Sequence, residues 1–230
     1  GEDLKNEIGT IPCAATDPEG FPGIQVPEHP ILAVGKVRMV GEPVVALVAI
    51  DRYTAQDAID LIEVDYEPLD AVSSAEEALK SNVPLLHEEF KTNQAFTWEL
   101  TGGDVETALQ EADQIVKQRF IHQRLVPNPI ETRGVLAQFL PGKKHLTIWS
   151  STQIPHLLRT QLSIILNHPE QLVRVIAPEV GGGFGCKLNV YSEEALVAYL
   201  ARELCRPVKW IETRRESFLH TIHGRDQTGD

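Results

Sequence analysis

Four glycines in five positions, Gly181-Gly182-Gly183-Phe184-Gly185, are the stretch of this chain best able to do chemistry. Glycine loses more freedom on folding than any other residue, so a dense run implies a sharp turn or a close approach to backbone. Successive bare N–H groups also make a concavity suited to an anion or a negatively charged oxygen. The flanks narrow the choice. Cys186-Lys187-Leu188 follows, where a phosphate-binding P-loop requires Gly-Lys and then Ser or Thr. A G-x-G-x-x-G dinucleotide fingerprint would need glycine at 186 or 188, and those positions hold Cys and Leu. Two readings stay open: a tight turn with close packing, or a loop whose backbone approaches an anionic or oxo-bearing ligand.

Other reactive types are sparse. Cys13, Cys186 and Cys205 have no C-x-x-C spacing and no paired histidines, so neither a zinc site nor a disulfide framework is expected. Reduced thiols of a cytoplasmic protein are the plain reading. Cys186 sits near a helix start, which can lower a thiol pKa, yet no His–acid pair stands at a spacing that would make it a nucleophile. Lys187 either contacts the ligand of the glycine loop or pairs at the surface, the second being favoured. Glu131 either faces a reacting centre or makes a fold-stabilising hydrogen bond, the second being favoured. His122, His145, His156 and His168 lack metal-ligand spacing, and no residue is expected to ligate a metal directly. Arg214-Arg215, beside Glu212 and Glu216, read as a solvated charged segment.

The elements around the glycine run form an α/β pattern. Gln171–Pro178 reads as a strand ending at the glycines, Ser192–Leu204 as a helix, and Pro207–Glu212 as a strand. Ligands of parallel α/β sheets sit at the carboxyl ends of strands, which is where this loop falls. Glu193 and Glu194 suit the positive end of the helix. Upstream, Gln114–Leu125, Glu131–Leu140 and His145–Ser151 read as strands, with Pro141-Gly142 turning between the last two. Pro155 opens a helix through Asn167. Asp104 caps a helix whose face is Val105, Ala108, Leu109 and Ala112. Further back, Lys36–Val40 and Val44–Ile50 read as two strands split at Gly41-Glu42-Pro43, the second almost wholly apolar as a strand buried on both faces would be. A helix over 52–62, a strand over 63–69 and a short helical piece at 74–80 follow. Residues 1–29 read as a loop-like lead-in rich in Pro, Gly and acid. The division expected is 1–75, a 76–103 linker, and 104–230.

Composition sets outer bounds. With 42% hydrophobic and 23% charged residues the 230-residue chain is of ordinary globular type. A net charge of -12 argues against nucleic acid or an anionic membrane as partner. No apolar run is long enough to span a bilayer. The chain begins at Gly1 and holds a single methionine, Met39, from which a piece of a longer polypeptide is expected.

Three separated motifs, Asn128-Pro-Ile-Glu-Thr132, Ser151-Thr-Gln-Ile-Pro-His156 and Ala177-Pro-Glu-Val-Gly-Gly-Gly-Phe-Gly-Cys-Lys187, occur in an order that resembles the molybdenum hydroxylase family of xanthine dehydrogenase, aldehyde oxidase and aerobic carbon monoxide dehydrogenase. The preceding Gly35–Leu69 stretch is similar to that family's small α/β hammerhead domain. Val40-Gly-Glu-Pro-Val44, Asp51–Leu69 and Pro207-Val-Lys-Trp-Ile-Glu212 are closest to carbon monoxide dehydrogenase-like large subunits. The likeness runs from about 29 to 227. It implies a mixed α/β and α+β fold: an N-terminally incomplete hammerhead domain followed by the first part of a molybdopterin-binding domain. It also implies a molybdenum–pterin cofactor, with a cytosine dinucleotide tail, contacted by Gln153, Gly182, Gly183, Phe184 and Gly185. Gln153 and Phe184 would lie at the reacting centre. The reaction implied is hydroxylation of an aldehyde, N-heterocycle or carbon monoxide by water, with electrons leaving through an iron–sulfur small subunit and an FAD-binding medium subunit. Leu188 stands where purine hydroxylases carry a substrate-binding glutamate, so purine recognition of that kind is not expected. The family's copper-linked cysteine, substrate loop and base glutamate would lie beyond residue 230. Residues 1–230 alone are therefore expected neither to retain the cofactor nor to turn over substrate. The other expectation is a non-catalytic binding or assembly module that keeps the fold.

Overall fold

The computed structural model describes residues 1–13 and 23–230; part of the expected lead-in, 14–22, lies outside the described residues. The ordered centre is a four-stranded sheet built from β2 (Gly134–Leu140), β3 (His145–Ser150), β4 (Val173–Ile176) and β5 (Val208–Ile211), in the order β4-β3-β2-β5. Strand β3 runs antiparallel to β2 and parallel to β4, and β2 runs antiparallel to β5. A 3-10 turn at Pro141–Lys143, closed by Lys144 in the left-handed region, joins β2 to β3, as the Pro-Gly pair predicts.

Alternation decides which face is covered. Val135 and Ala137 of β2 and Leu146 and Ile148 of β3 are buried, because side chains two apart share a face of a strand. That face receives α4 (Pro155–Ile165) and α5 (Ser192–Leu204). Helix α4 contributes Leu158, Leu162 and Ile165, and α5 contributes Ala195, Ala198 and Ala201, both at the i, i+3, i+4 spacing of an apolar stripe. The alanines let α5 lie close against the strands. The lead-in joins this core: Ile11 and Ile31 are buried in the same cluster, and the Gly9 N–H donates to the Ile165 carbonyl at 2.7 Å.

The sheet's directions put its chemistry at one edge. Parallel β3 and β4 both end there, delivering Ser151–Gln153 and the 177–187 loop. Antiparallel β2 begins there, so the 128–133 segment precedes it at that edge. Strand β5 ends there too, delivering Glu212. The pairs Val135–Ser150, Gly134–Ile211 and Trp149–Ile176 record this alignment.

The N-terminal region departs from expectation. Helix α1 (Arg52–Ile59) forms, with Asp51 capping the Thr54 N–H at 2.8 Å. However, 36–40 is not a strand, and neither are Val44–Ile50 and 63–69; Ile50 is 89% exposed. Strand propensity expresses packing against neighbours, and no ladder partner runs beside any of these stretches among the described residues. A short helix α2 (Ala75–Ala78) follows. In α3 (Val105–Glu111), Asp104 caps as expected, but the face of Val105 and Leu109 is exposed. The expected strand over 114–125 is reduced to β1 (Phe120–His122). It pairs with β6 (Gln227–Gly229), which follows α6 (Arg214–His220).

Candidate functional site

The glycine loop, the Ser151–Gln153 turn and the Asn128–Thr132 segment meet at the sheet edge. Gln153 ties the first two together. Its backbone N–H donates to the Lys187 carbonyl at 2.9 Å. Its side-chain Oε1 accepts the N–H groups of Gly185 and Lys187, each at 3.2 Å. Two donors converging on one atom assign it as the carbonyl oxygen, which settles the amide orientation. The Gln153 NH2 is thereby turned away from the loop and has no partner among the described residues.

Glycine is required at each position of the run for a stated reason. A Cβ on Gly183 would lie 2.3 Å from Gln153 Oε1 and 2.6 Å from Cδ. A Cβ on Gly181 would lie 2.6 Å from Glu131 Cβ. Gly182 and Gly185 adopt φ of +91° and +96°, a region open to glycine and strained for other residues. Between them Phe184 sits at φ +52° with its side chain 77% exposed. The N–H groups of Gly183 and Phe184 have no acceptor among the described residues. The site thus offers three unused donors, and nothing lies within 4 Å of where a Gly185 Cβ would stand.

Glu131 lies behind the loop. Its Oε2 accepts from Ser151 Oγ, the Gly181 N–H and Lys187 Nζ, each at 2.7 Å. Burial works against its ionisation, but Lys187, Ser151 and Gly181 outweigh that and hold its carboxyl below the ordinary Glu value. The Lys187 side chain is fully buried, so the surface pairing expected for it does not occur. A long side chain can run inward when its ammonium finds a carboxylate. The favoured expectation for Glu131, a structural hydrogen bond, understated a three-donor node.

The same edge is braced from beneath. Arg214 donates from Nη1 to Asn128 Oδ1 and from Nη2 to the Ile130 carbonyl, both at 2.7 Å. Buried Arg133 donates to Glu212 from its backbone and its guanidinium and to Glu193 through both terminal nitrogens, and it stacks 3.8 Å from the Tyr191 ring centroid. Burial disfavours its charge, yet Glu193 and Glu212 raise its pKa well above the ordinary value. Burial would raise Glu193 as well; His220 and Arg133 overcome it and lower it to about 2. Glu194 goes the other way. Burial pushes it up to about 7, against hydrogen bonds from Ser150 and the Tyr191 N–H. The reading of Glu212 as solvated is therefore wrong: its side chain is wholly buried by Arg133. Of the two helix-start glutamates, Glu194 accepts the Tyr191 N–H at 3.0 Å while Glu193 serves Arg133.

Cys186 is buried, and burial pushes its thiol up, which removes the thiolate a nucleophile needs. Leu188 beside the loop is 49% exposed. Among the described residues no group of three or more His, Cys, Asp or Glu could hold a metal ion. The donors here are neutral N–H groups, suited to hydrogen-bonding an oxygen on a group held by other means.

Loop amides and a carboxamide NH2 without protein partners thus gather at the strand ends, the place where α/β sheets bind ligands. Comparison with known proteins gives the family. The molybdopterin cofactor-binding domain matches residues 86–230, and the a/b hammerhead domain of aldehyde oxidase and xanthine dehydrogenase matches residues 12–70; the chain belongs to this family. It is 37% identical over 205 residues to the nicotine 6-hydroxylase large subunit of Paenarthrobacter nicotinovorans, covering 89% of this chain and 25% of that protein. It is 38% identical over 211 residues to the carbon monoxide dehydrogenase large chain of Afipia carboxidovorans, covering 85% of this chain and 26% of that protein. The quinoline 2-oxidoreductase structure from Pseudomonas putida 86 superposes over 98% of this chain and 30% of its own, with a TM-score of 0.85 and 34% identity. The chain thus spans about a quarter of the length of the curated relatives it matches. No helix among the described residues is long and apolar enough to cross a membrane.

Proposed function

We propose that this chain is part of the molybdenum-cofactor-binding large subunit of an oxidoreductase that hydroxylates an N-heterocycle, an aldehyde or carbon monoxide with water. One observation carries the reading. The N–H groups of Gly185 and Lys187 fix the Gln153 Oε1, which leaves its NH2, like the N–H groups of Gly183 and Phe184, without a protein partner among the described residues. These residues fit a molybdenum–pterin group, because a metal carried by a pterin brings its own ligands and asks the protein for hydrogen bonds.

When bound, the cofactor supplies the two-electron redox chemistry. Gln153 would donate through its NH2 to an oxygen bearing negative charge, and the backbone N–H groups of Gly183 and Phe184 would be further donors. Donors fixed before reaction stabilise developing charge without reorganisation. The exposed Phe184 ring and Leu188 offer apolar surface next to the loop for a substrate to contact. A leucine at 188 also favours an apolar or weakly polar substrate over a purine, in line with the nicotine and quinoline named for the relatives. The cytosine dinucleotide form, an iron–sulfur small subunit, an FAD-binding medium subunit and a cytoplasmic location complete the proposal, as does a cofactor that residues 1–230 alone do not retain. A relative that is 37% identical, subunit gamma of the 6-hydroxypseudooxynicotine dehydrogenase complex of Paenarthrobacter nicotinovorans, supports the multi-subunit part.

The test is elemental analysis of the whole subunit purified with its partners. Stoichiometric molybdenum and iron without copper supports an N-heterocycle or aldehyde hydroxylase. Molybdenum with equal copper points to carbon monoxide. A folded complex with no molybdenum overturns the proposal and leaves a non-catalytic module.

A further inference from the structure

We infer that Glu131 is a positioning residue that clasps both ends of the glycine loop and thereby sets the Gln153 carboxamide. A single oxygen, Oε2, takes the Gly181 N–H at the start of the loop and Lys187 Nζ at its end, with Ser151 Oγ as third donor, each at 2.7 Å. Lys187 in turn grips Gln153 at two points: its N–H donates to Oε1 and its carbonyl accepts the Gln153 N–H. The path from carboxylate to carboxamide is therefore Glu131, Lys187, Gln153, with every link a hydrogen bond.

The clasp is anchored on its far side. The Glu131 N–H donates to the Gly181 carbonyl at 3.3 Å. Arg214 holds Asn128 and Ile130, and Thr132 Oγ1 donates to the Glu212 carbonyl at 2.9 Å. The residues on either side of Glu131 are thus held by α6 and by Glu212 just past β5, outside the loop it restrains. Within the loop the bonds are short-range, such as Cys186 N–H to the Gly183 carbonyl; from outside, Gln153, Thr152 and Tyr191 hold its second half at Gly185, Lys187 and the Cys186 carbonyl, and Glu131 is the side chain that joins both ends.

Charge makes the carboxylate irreplaceable. Lys187 has no exposed side-chain surface, and a buried ammonium stripped of its partner is strongly unfavourable. A glutamine at 131 keeps the shape but offers one neutral acceptor for an ammonium, an N–H and a hydroxyl. The ammonium then seeks water, and pulling it outward drags the backbone whose N–H and carbonyl hold Gln153.

This inference rests on the molybdenum reading only for its effect on turnover; the clasp itself is read by amide exchange. Glu131→Gln and the double variant Glu131→Gln/Lys187→Gln are made in the full-length subunit assembled with its partners. Hydrogen exchange is followed by mass spectrometry on peptides covering 180–188 and, as reference, 134–150. The expected result for Glu131→Gln is exchange about tenfold or more faster in 180–188, unchanged in 134–150. Turnover number falls by about 10² with KM nearly constant, since a displacement of about 1 Å suffices for that. In the double variant the unpaired charge is gone and thermal stability recovers, yet exchange stays fast because the clasp is still missing. Unchanged exchange in Glu131→Gln overturns the inference, as does wild-type exchange in the double variant, which would reduce Glu131 to a counter-charge. Fast exchange with full turnover and molybdenum content upholds the clasp and sinks the cofactor role given to the loop.

Discussion

Gly183→Ala tests the core of the site with one methyl group. The new Cβ would lie 2.3 Å from Gln153 Oε1, 2.6 Å from Cδ and 3.0 Å from Cγ. Ordinary contact begins near 3.4 Å, so the carboxamide must retreat by roughly 1 Å or swing out. Gly183 is not in the left-handed region, so backbone strain does not confuse the result. Either movement breaks the 3.2 Å bonds from Gly185 and Lys187 to Oε1. At about 1 kcal/mol net for each bond, the subunit should lose about 2 kcal/mol of stability. The outward NH2 moves with the carbonyl, and losing one aimed donor should cost about 10²-fold in turnover number. The assay is denaturant unfolding of the subunit together with turnover of the assembled complex, run as a cycle with Gln153→Ala. Removing the glutamine removes the clash, so the double variant should match Gln153→Ala alone within about 0.5 kcal/mol. Additive losses would refute the reasoning, because they would mean that Gly183 is needed for something other than the Gln153 side chain.

Three further outcomes are expected. Arg133→Met strands Glu193 and Glu212 in a buried site and should cost about 3–5 kcal/mol in denaturant unfolding. The stability that Glu194 contributes should fall as pH rises from about 4.5 to 7, because burial raises it to about 7 in the fold; His29 and His168, lowered by burial, act in the opposite sense. The Glu194 contribution is complete below the ordinary Glu value and lost as pH climbs through the raised one, about 3 kcal/mol in all. Glu194→Gln should flatten that slope, which unfolding across the same pH range would reveal. A thiol reagent should modify exposed Cys205 while sparing Cys186 in the native protein, and mass analysis of labelled peptides showing Cys186 reacting first would contradict the burial argument.

Local signals were enough for the elements of the main sheet. Pro141-Gly142, Pro155, and the apolar spacing of α4 and α5 each act within a few residues, and strand, loop and helix fell where the letters placed them. The node at Glu131 was not legible, because its partners Ser151, Gly181 and Lys187 lie 20, 50 and 56 residues away. Nothing near Glu131 announces them. The burial of Lys187 and Glu212 was misjudged for the same reason: a charged side chain goes inward only when a distant partner meets it. The strands expected at 44–50 and 63–69 failed differently. Their apolar letters are real, but a β run needs a neighbour to pair with, and propensity carries no information about where that neighbour is.

The glycine run shows why spacing alone left two readings open. Tight packing and ligand approach divide the five positions between them. Gly181 and Gly183 are bare because Glu131 and Gln153, from the other two motifs, occupy the space a methyl group would need. Gly182 and Gly185 are bare because the chain turns through positive φ. All four glycines would thus be required even with no ligand nearby. What packing does not explain is the set of donors left over: the Gln153 NH2 and the N–H groups of Gly183 and Phe184, beside an exposed aromatic ring held at positive φ. Water can serve the donors of exposed Gln153 and Phe184, but Gly183 is a buried residue whose N–H has no acceptor among the described residues, which a turn built only for stability would avoid. The case for a ligand therefore rests on the unused hydrogen bonds and on Phe184, and the glycines are the means by which three distant segments come close enough to leave them exposed together.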